Sequence, residues 1–223
     1  MGKIYTLTIP TWIDGINTTI EVGTGSIQHV VFDGGMEREK FYNVLLNGDF
    51  KGSVVNLITD DIDEFAMSVK SGLGTTVIPY EATTAERVTE ILKDMKSRVE
   101  QRYNVLSNNN KKNIDCYNNW AGKHNQMKPV VICCVGADRM LRQLSREDAY
   151  NLIVDFLKVG RVTGVVLLLH SDEFYGVQES MERDMYAQFA QVHISTATEH
   201  TKDMTVLIGG KAYHASVGPR DRL

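Results

Sequence analysis

Short, continuous apolar runs alternate along the chain with longer segments whose apolar residues recur every three or four positions. Runs of this length, rich in β-branched residues, are typical of strands buried on both faces of a sheet. They predict strands at 29–32, 53–59, 75–79, 129–135 and 162–169. Spacing of three and four predicts helices at 38–46, 61–72, 83–103 and 145–160. The alternation predicts an α/β fold with a mostly parallel central sheet flanked by helices.

Local signals support two of the helices. Thr83 is followed three residues later by Glu86, and Ser145 by Asp148, which is the spacing of side chains that cap a helix start. Gly160 stands where the second of these helices is predicted to stop. The polar segment 108–112 is poor in core residues and predicts an exposed loop. In a parallel sheet of this kind, ligands bind at the carboxyl ends of the strands.

Length and composition favour one compact domain. The 223 residues are 43% hydrophobic and 23% charged, which suffices for a single core. The longest apolar runs, 129–135 and 165–169, are far shorter than the roughly 20 residues that a membrane-spanning helix requires, and no signal-peptide pattern precedes them. We therefore expect the chain itself to be soluble.

Charge and cysteine usage exclude further classes. The net charge of −4 disfavours nucleic acid as a partner, since phosphate binding normally requires a basic surface. Of the three cysteines, Cys133 and Cys134 are neighbours on a predicted buried strand and point to opposite faces, which predicts reduced thiols. Neither this pair nor Cys116 with His124 has the spacing of a metal site, so we predict none.

Three segments carry a resemblance to a known family. Residues 100–118 contain Arg102-Tyr103, then Asn113-Ile114, then Tyr117-Asn118; a Gly-Arg-Val-Thr-Gly segment precedes the run at 165–169. The segment 29–41 is similar to a phosphate-binding loop and its flanking strand and helix. In this order the segments resemble FtsK/SpoIIIE-type P-loop ATPases. The resemblance implies a RecA/FtsK-like three-layer P-loop NTPase fold over residues 28–209, in one domain of 1–223, with a β-rich lead-in at 1–27 and a tail at 210–223.

The resemblance also implies that the nucleotide site is degenerate. A working P-loop needs glycines, a lysine for the phosphates and a hydroxyl for Mg²⁺. Only Gly34 and Lys40 of this set survive in register, and Gly35 is the further glycine assigned to the degenerate pocket. Glutamates stand at glycine positions 37 and 39, and Phe41 stands at the hydroxyl position. Lys40 itself is either a relic phosphate ligand or a solvated side chain.

The catalytic carboxylates and the sensor residues are replaced as well. The Walker B positions, which should carry adjacent carboxylates, hold Cys134 and Val135 in the register that Asp138 sets. Sensor positions that are Gln and Arg in the family hold Asp172 and Glu173, which would place negative charge beside a phosphate. We therefore assign no catalytic residue and expect binding of ATP and Mg²⁺ to be weak or absent.

Two residues keep alternative interpretations. Asp138 either contacts a nucleotide-linked water or caps the turn after its strand. Arg161 either acts in trans on a neighbouring subunit or domain, or interacts with the dipole at its helix end. His170, Ser171 and Asp172 have the residue types of a hydrolase triad, but neighbours on one extended segment cannot converge to form one.

Within the family, the chain resembles the third, degenerate ATPase domain of type VII secretion coupling proteins of the EssC/EccC kind. This implies a cytoplasmic domain of a cell-membrane protein that docks substrates and regulates active ATPase domains earlier in the same polypeptide. The implied partners are small helical-hairpin secretion substrates or their complexes, neighbouring ATPase domains and other secretion components. A groove for an amphipathic helix in the abandoned nucleotide cleft is one expected docking site. The alternative is an ATP-hydrolysing FtsK-like motor domain of a protein or DNA translocase.

Overall fold

The computed structural model describes residues 7–13, 16–22, 29–33, 38–50, 52–59, 75–79, 85–173, 176–198, 201–208 and 211–217. The strands are β1 Leu7–Ile13, β2 Ile16–Val22, β3 His29–Phe32, β4 Val54–Thr59, β5 Thr75–Pro79, β6 Val130–Cys134, β7 Val165–His170, β8 Phe189–Thr198, β9 Thr201–Ile208 and β10 Lys211–Val217. The helices are α1 Arg38–Leu46, α2 Ala85–Asn108, α3 Ile114–Ala121, α4 Ala137–Arg142, α5 Arg146–Thr163, α6 Gly176–Ser180 and α7 Arg183–Tyr186.

The central sheet is parallel except at one edge. Its order is β10-β9-β8-β3-β7-β6-β4-β5, and every neighbouring pair from β8 to β5 is parallel. β9 and β10 extend the β8 edge as antiparallel strands, and β1 and β2 form a separate antiparallel pair. β7 lies between β3 and β6, although both precede it in the chain, so crossover connections bring the ends of these three strands together.

Helices cover both faces of the sheet. Helices α2 and α5 pack on each other over one face, where Ile132, Cys134 and Leu167 join their side chains in the main core. On the opposite face, Phe41 of α1 packs edge-on against Phe32 of β3, with ring centroids 5.0 Å apart. The prediction of a three-layer α/β fold is confirmed. Cys133 and Cys134 are buried free thiols, as predicted, and only Cys134 belongs to the main core.

Helix α5 confirms one predicted signal and corrects another. The Ser145 hydroxyl accepts the backbone N–H of Asp148 at 3.1 Å, so the predicted cap begins the helix. The helix does not stop at Gly160 but continues to Thr163 and ends at Gly164, whose φ of 73° is the left-handed conformation that favours glycine. Gly160 instead allows helix α5 to lie close to the start of β7, because a Cβ on Gly160 would lie 2.6 Å from the Val165 carbonyl oxygen. Strand β7 therefore begins at Val165, three residues later than predicted.

The residues that carry the family resemblance before β6 have structural roles. Arg102 donates to the Thr163 carbonyl at 2.8 Å and to the Lys128 carbonyl at 2.9 Å. Asn113 caps α3 by accepting the Cys116 N–H, and the Asn118 amide bonds both the N–H and the carbonyl of Met127. These contacts join the end of α5 and the segment before β6 to α2 and α3. The contacted residues Met127, Lys128 and Thr163 lie directly before the starts of β6 and β7.

Several elements were not predicted from the pattern. Helices α4, α6 and α7 are each six residues or shorter, and β10 forms within the segment that the sequence indicated as a tail. The predicted helix at 61–72 lies outside the described residues, as does the predicted cap at Thr83.

Candidate functional site

The carboxyl ends of β3, β6 and β7 meet at one edge of the sheet. Phe32 pairs with His170 across β3 and β7, and Cys134 pairs with Leu169 across β6 and β7. The residues that follow these strands, including Asp33, Gly136 and Ser171, therefore lie side by side. Helix α1 begins on one side of this edge and α4 on the other. This is the edge at which the fold predicts a ligand site.

An ion-pair cluster occupies the edge. Arg38, the first residue of α1, donates from Nε and Nη2 to the two carboxylate oxygens of Asp172, at 2.7 and 2.6 Å. Arg139 of α4 brings its Nη2 to 2.9 Å from the same carboxylate. The two side chains of the Arg38–Asp172 pair are only 23% and 29% exposed. A bidentate arginine–carboxylate pair is among the stronger and more directional ionic contacts in proteins.

A second pair extends the cluster toward solvent. Arg142, the last residue of α4, donates from Nη1 and Nη2 to the two carboxylate oxygens of Glu173, with an Nη1–Oε1 distance of 2.9 Å. This contact lowers the pKa of the Glu173 carboxyl and raises the pKa of Arg142. We call Arg38, Arg139, Arg142, Asp172 and Glu173 together the edge cluster. Both carboxylates that the sequence analysis aligned with sensor residues therefore pair with arginines of α1 and α4.

The edge leaves little room for added atoms. Gly136 has a φ of 66°, and a Cβ there would lie 2.9 Å from Nη2 of Arg139 and 3.2 Å from Nη2 of Arg38. A Cβ on Gly176 would lie 2.6 Å from the Ser171 Oγ and 2.7 Å from the Asp138 Cβ. Both glycines thus allow guanidinium or carboxylate groups to come close to the backbone.

Phe41 is withdrawn from the edge. It is fully buried and lies between Phe32 and His170, with its ring centroid 4.8 Å from that of His170. The sequence aligns this position with the hydroxyl that binds Mg²⁺ in a working P-loop. An apolar ring in this place supplies a core contact and has no oxygen to offer a metal.

The two positions that the sequence analysis aligned with the Walker B carboxylates are also apolar in character. Cys134 and Val135 are buried, and burial raises the pKa of the Cys134 thiol to about 12. A neutral thiol at the strand end can neither bind Mg²⁺ strongly nor accept a proton from water at neutral pH. Neither side chain offers the adjacent carboxylates that hydrolysis requires.

Asp138 lies behind the edge cluster in the first turn of α4. It is fully buried, and its Oδ1 accepts the Asp172 backbone N–H at 3.3 Å. Its Oδ2 is buried and has no hydrogen-bond partner among the described residues. Burial raises the pKa of this carboxyl. The contact to Asp172 is a structural role that differs from the predicted turn cap, because it joins α4 to the segment that follows β7.

Asp33 is a buried site residue that the sequence analysis missed. Its two carboxylate oxygens accept the backbone N–H groups of Val177 and Gln178 at 3.1 and 2.8 Å, so it anchors α6 beside the edge. The three arginines of the edge cluster were missed too. One signal for Arg38 was its position at the start of a helix directly after a predicted phosphate-binding loop.

The other predicted site residues divide into two groups. Gly34 and Gly35 lie outside the described residues, and Lys40 lies within α1 without a described side chain. Arg161 is exposed in the last turn of α5, next to the amino end of β7. It therefore lies at the opposite edge of the sheet from Cys134, Asp138 and Asp172, which the structure does bring together. Any action of Arg161 at a nucleotide site would be on a neighbouring domain.

The described residues contain no group of three or more side chains that could hold a metal ion. Among the described helices, none combines the length and the apolar character that crossing a membrane requires.

No protein-family model and no curated protein sequence matches the chain. Solved structures do match. The pCW3 conjugation coupling protein TcpA, in a monomer form with ATPγS, is 12% identical with a TM-score of 0.66 over 99% of this chain and 67% of its own. EssC (ATPases 2 and 3) from Geobacillus thermodenitrificans is 10% identical with a TM-score of 0.66, over 97% of this chain and 45% of its own.

A Thermomonospora curvata EccC (ATPases 2 and 3) in complex with a signal sequence peptide is 13% identical with a TM-score of 0.63, over 98% of this chain. The chain spans 43% of that EccC structure, so it has less than half the length of the EssC and EccC chains it matches. At identities of this level the likeness concerns the fold. The chain shares the α/β fold of these conjugation coupling and type VII secretion ATPase structures.

Proposed function

We propose that this chain is a degenerate ATPase domain of a membrane-bound secretion motor of the type VII kind, which docks partners and regulates active ATPase domains rather than hydrolysing ATP. The observation that carries the proposal is the pairing of Asp172 with Arg38. In a working site, cationic and neutral donors at these positions face the γ-phosphate. Here a carboxylate stands at a sensor position, and it is already bound to the first residue of the P-loop helix.

Three losses support the absence of hydrolysis independently. They are the carboxylate at the sensor position, the thiol and valine at the Walker B positions, and the buried Phe41 at the hydroxyl position. Removing one electrostatic element from an active site costs about 3 kcal/mol of transition-state stabilisation. Each 1.4 kcal/mol added to the barrier slows a reaction by about a factor of ten. Even partial additivity of three such losses would therefore slow ATP turnover by several orders of magnitude.

The charged rim of the cleft counts against the groove for an amphipathic helix that the sequence analysis expected there. An amphipathic helix would need an apolar groove there, but the described rim consists of the paired charges of the edge cluster. The large apolar side chains that are exposed among the described residues lie elsewhere: Tyr103 and Val105 on α2, Trp120 on α3, and Tyr150 on α5. Trp120 is 57% exposed, and the Lys111 ammonium lies 4.7 Å from its ring centroid. We propose the exposed face of α3 around Trp120 as the substrate-docking candidate.

Calorimetric titration with a candidate helical-hairpin secretion substrate tests the docking role. We expect saturable binding, and we expect Trp120→Ala to weaken it by about tenfold or more, as truncation of an interface aromatic commonly does. Tyr150→Ala removes an exposed aromatic from a different helix and serves as the matched control. Absence of binding to every candidate substrate and neighbouring ATPase domain would sink the docking proposal.

An ATP-hydrolysing motor domain is the second candidate. It is favoured by the convergence of three arginines on the strand ends and by the fold match to a coupling protein that was solved with ATPγS. Under this alternative, steady-state ATP turnover would be measurable and Lys40→Ala would abolish it. We expect no turnover above that of the Lys40→Ala variant.

A further inference from the structure

Trp120 on α3 is exposed but already ordered by its neighbours. The ring of Tyr117 lies one helical turn earlier, with its centroid 5.8 Å from that of Trp120, and the Lys111 ammonium lies over the Trp120 ring. More than half of the tryptophan nevertheless remains accessible to solvent. A large aromatic side chain that is both exposed and held in place offers contact area to a partner at a low cost in conformational entropy.

Lysines surround this tryptophan. Lys112 lies directly before the residue that caps α3, and Lys123 lies directly after the glycine that ends the helix. The Asn118 side chain forms two hydrogen bonds with the backbone before β6, which places Lys128 beside the same helix. These three lysines are exposed, and no ion pair among the described residues includes one of them or Lys111. We call Trp120 and these four lysines the lysine surface.

The lysine surface has the opposite charge to the rest of the chain. Residues 108–128 contain four lysines and a single acidic residue, Asp115, so with neutral histidine their net charge is +3. The whole chain carries −4, and the remaining residues therefore carry −7. Such a contrast gives a surface that attracts carboxylates and rejects cationic partners.

The same contrast limits the size of the partner. Charges in water interact over about 8–10 Å at physiological salt. A short acidic segment that covers only the lysine surface is attracted by it. A long nucleic acid or an anionic membrane would extend beyond this surface and would also meet the acidic remainder of the chain, which repels it. The charge distribution therefore favours a short acidic segment over an extended polyanion.

We propose that the lysine surface binds a short acidic segment of a partner protein, whose carboxylates pair with the lysines and whose apolar side chain packs on Trp120. The inference rests on the proposed function, in which this face docks partners, and it adds the charge and the size of what is docked. Exposed ion pairs contribute little affinity each, so the apolar contact supplies most of the binding and the lysines select the partner.

The test uses a fluorescein-labelled helical peptide of glutamate, leucine and alanine as the probe, with fluorescence anisotropy as the readout. The matched peptide has glutamine in place of every glutamate. We expect the natural chain to bind the acidic peptide saturably and about tenfold or more tightly than the glutamine peptide. Raising the salt concentration should reduce this difference.

Charge-reversal variants locate the binding. Lys112→Glu/Lys123→Glu should weaken binding of the acidic peptide by about tenfold or more. Lys93→Glu/Arg183→Glu makes the same change in net charge at exposed positions of α2 and α7, and we expect it to have little effect. The first variant should also bind a peptide with lysine in place of glutamate better than the natural chain does. Damage to the fold would not produce this gain.

Three results would overturn the inference. They are equal affinity for the acidic and glutamine peptides, an equal loss of affinity in the two charge-reversal variants, and tighter binding to a single-stranded oligonucleotide or to phosphatidylglycerol vesicles than to the acidic peptide. A failure of the proposed function looks different, since it would appear as ATP turnover or as missing binding of secretion substrates and ATPase domains. A substrate that binds the natural chain and Lys112→Glu/Lys123→Glu equally well would keep the docking role and refute the role of the lysines.

Discussion

Replacing Arg102 should destabilise the domain more than replacing any exposed arginine of the same helix. Its guanidinium joins the last carbonyl of α5, at Thr163, to the Lys128 carbonyl before β6. A hydrogen bond to a charged group contributes about 1.5–3 kcal/mol. The bond to Lys128 is exposed to water and contributes less, and burial lowers the pKa of Arg102 to about 10, which shows that the charge is partly desolvated. We therefore expect Arg102→Ala to lower the free energy of unfolding by about 2–4 kcal/mol.

Urea unfolding followed by circular dichroism measures this change, and Arg98→Ala is its control. Arg98 lies four residues earlier on α2 and forms an exposed pair with Asp94 at 3.0 Å. Such a pair contributes about 0.3–0.5 kcal/mol. Arg102→Lys should recover little, because an ammonium cannot bond both carbonyls in the geometry of a guanidinium. If Arg102→Ala costs no more than Arg98→Ala, the contacts to Thr163 and Lys128 do not hold the strand starts in place.

Three further predictions concern buried groups. Burial, with a smaller contribution from a nearby arginine, lowers the pKa of His29 from 6.5 to about 4, so the folded state keeps this imidazole neutral while the unfolded state protonates. The contribution of the neutral imidazole to the free energy of unfolding should be fully present above pH 6.5 and should fall by about 3 kcal/mol as the pH falls to 4. Urea unfolding at several pH values measures this loss. The variant His29→Gln should show a flatter dependence of stability on pH. In the native protein a disulfide reagent should modify Cys116 alone, and Cys133 and Cys134 should react only after unfolding, because burial raises the pKa of both thiols. Gly164→Ala should lower the melting temperature by several degrees, because φ at this position is 73° and the new Cβ would lie 2.6 Å from the Ile114 Cδ1. An unchanged melting temperature would contradict the left-handed turn at the end of α5.

The periodic pattern predicted the elements that form the centre of the sheet. β3, α1 and β5 have the predicted bounds, because each is bounded by glycine, proline or polar residues that end the apolar run. Helix α5 was predicted too short, since Gly160 is a close-approach glycine and not a cap. A sequence does not distinguish the two uses, because both select for the missing side chain.

The short helices escaped prediction for a different reason. Helices α4, α6 and α7 have no room for two turns of periodic spacing, and tertiary contacts hold them in place. Helix α6, for example, starts where two of its backbone N–H groups meet the buried Asp33 carboxylate. This partner lies more than 140 positions earlier in the chain.

The sequence predicted which residues of the site lie close together, but not how they pair. The family resemblance placed carboxylates at the sensor positions and Phe41 at the hydroxyl position, and the structure brings Cys134, Asp138 and Asp172 to one edge. That Asp172 would pair with Arg38 could not be inferred from either residue. The pairing depends on β7 lying beside β3, which brings together residues 134 positions apart.

The measurement that tests the central claim most directly is a calorimetric titration of the natural chain with Mg·ATP. The account predicts no saturable heat, because Asp172 and Glu173 already pair with the arginines at the phosphate edge and no Walker B carboxylate holds the metal. Saturable ATP binding that Lys40→Ala abolishes would contradict the account and place the domain among the working motors.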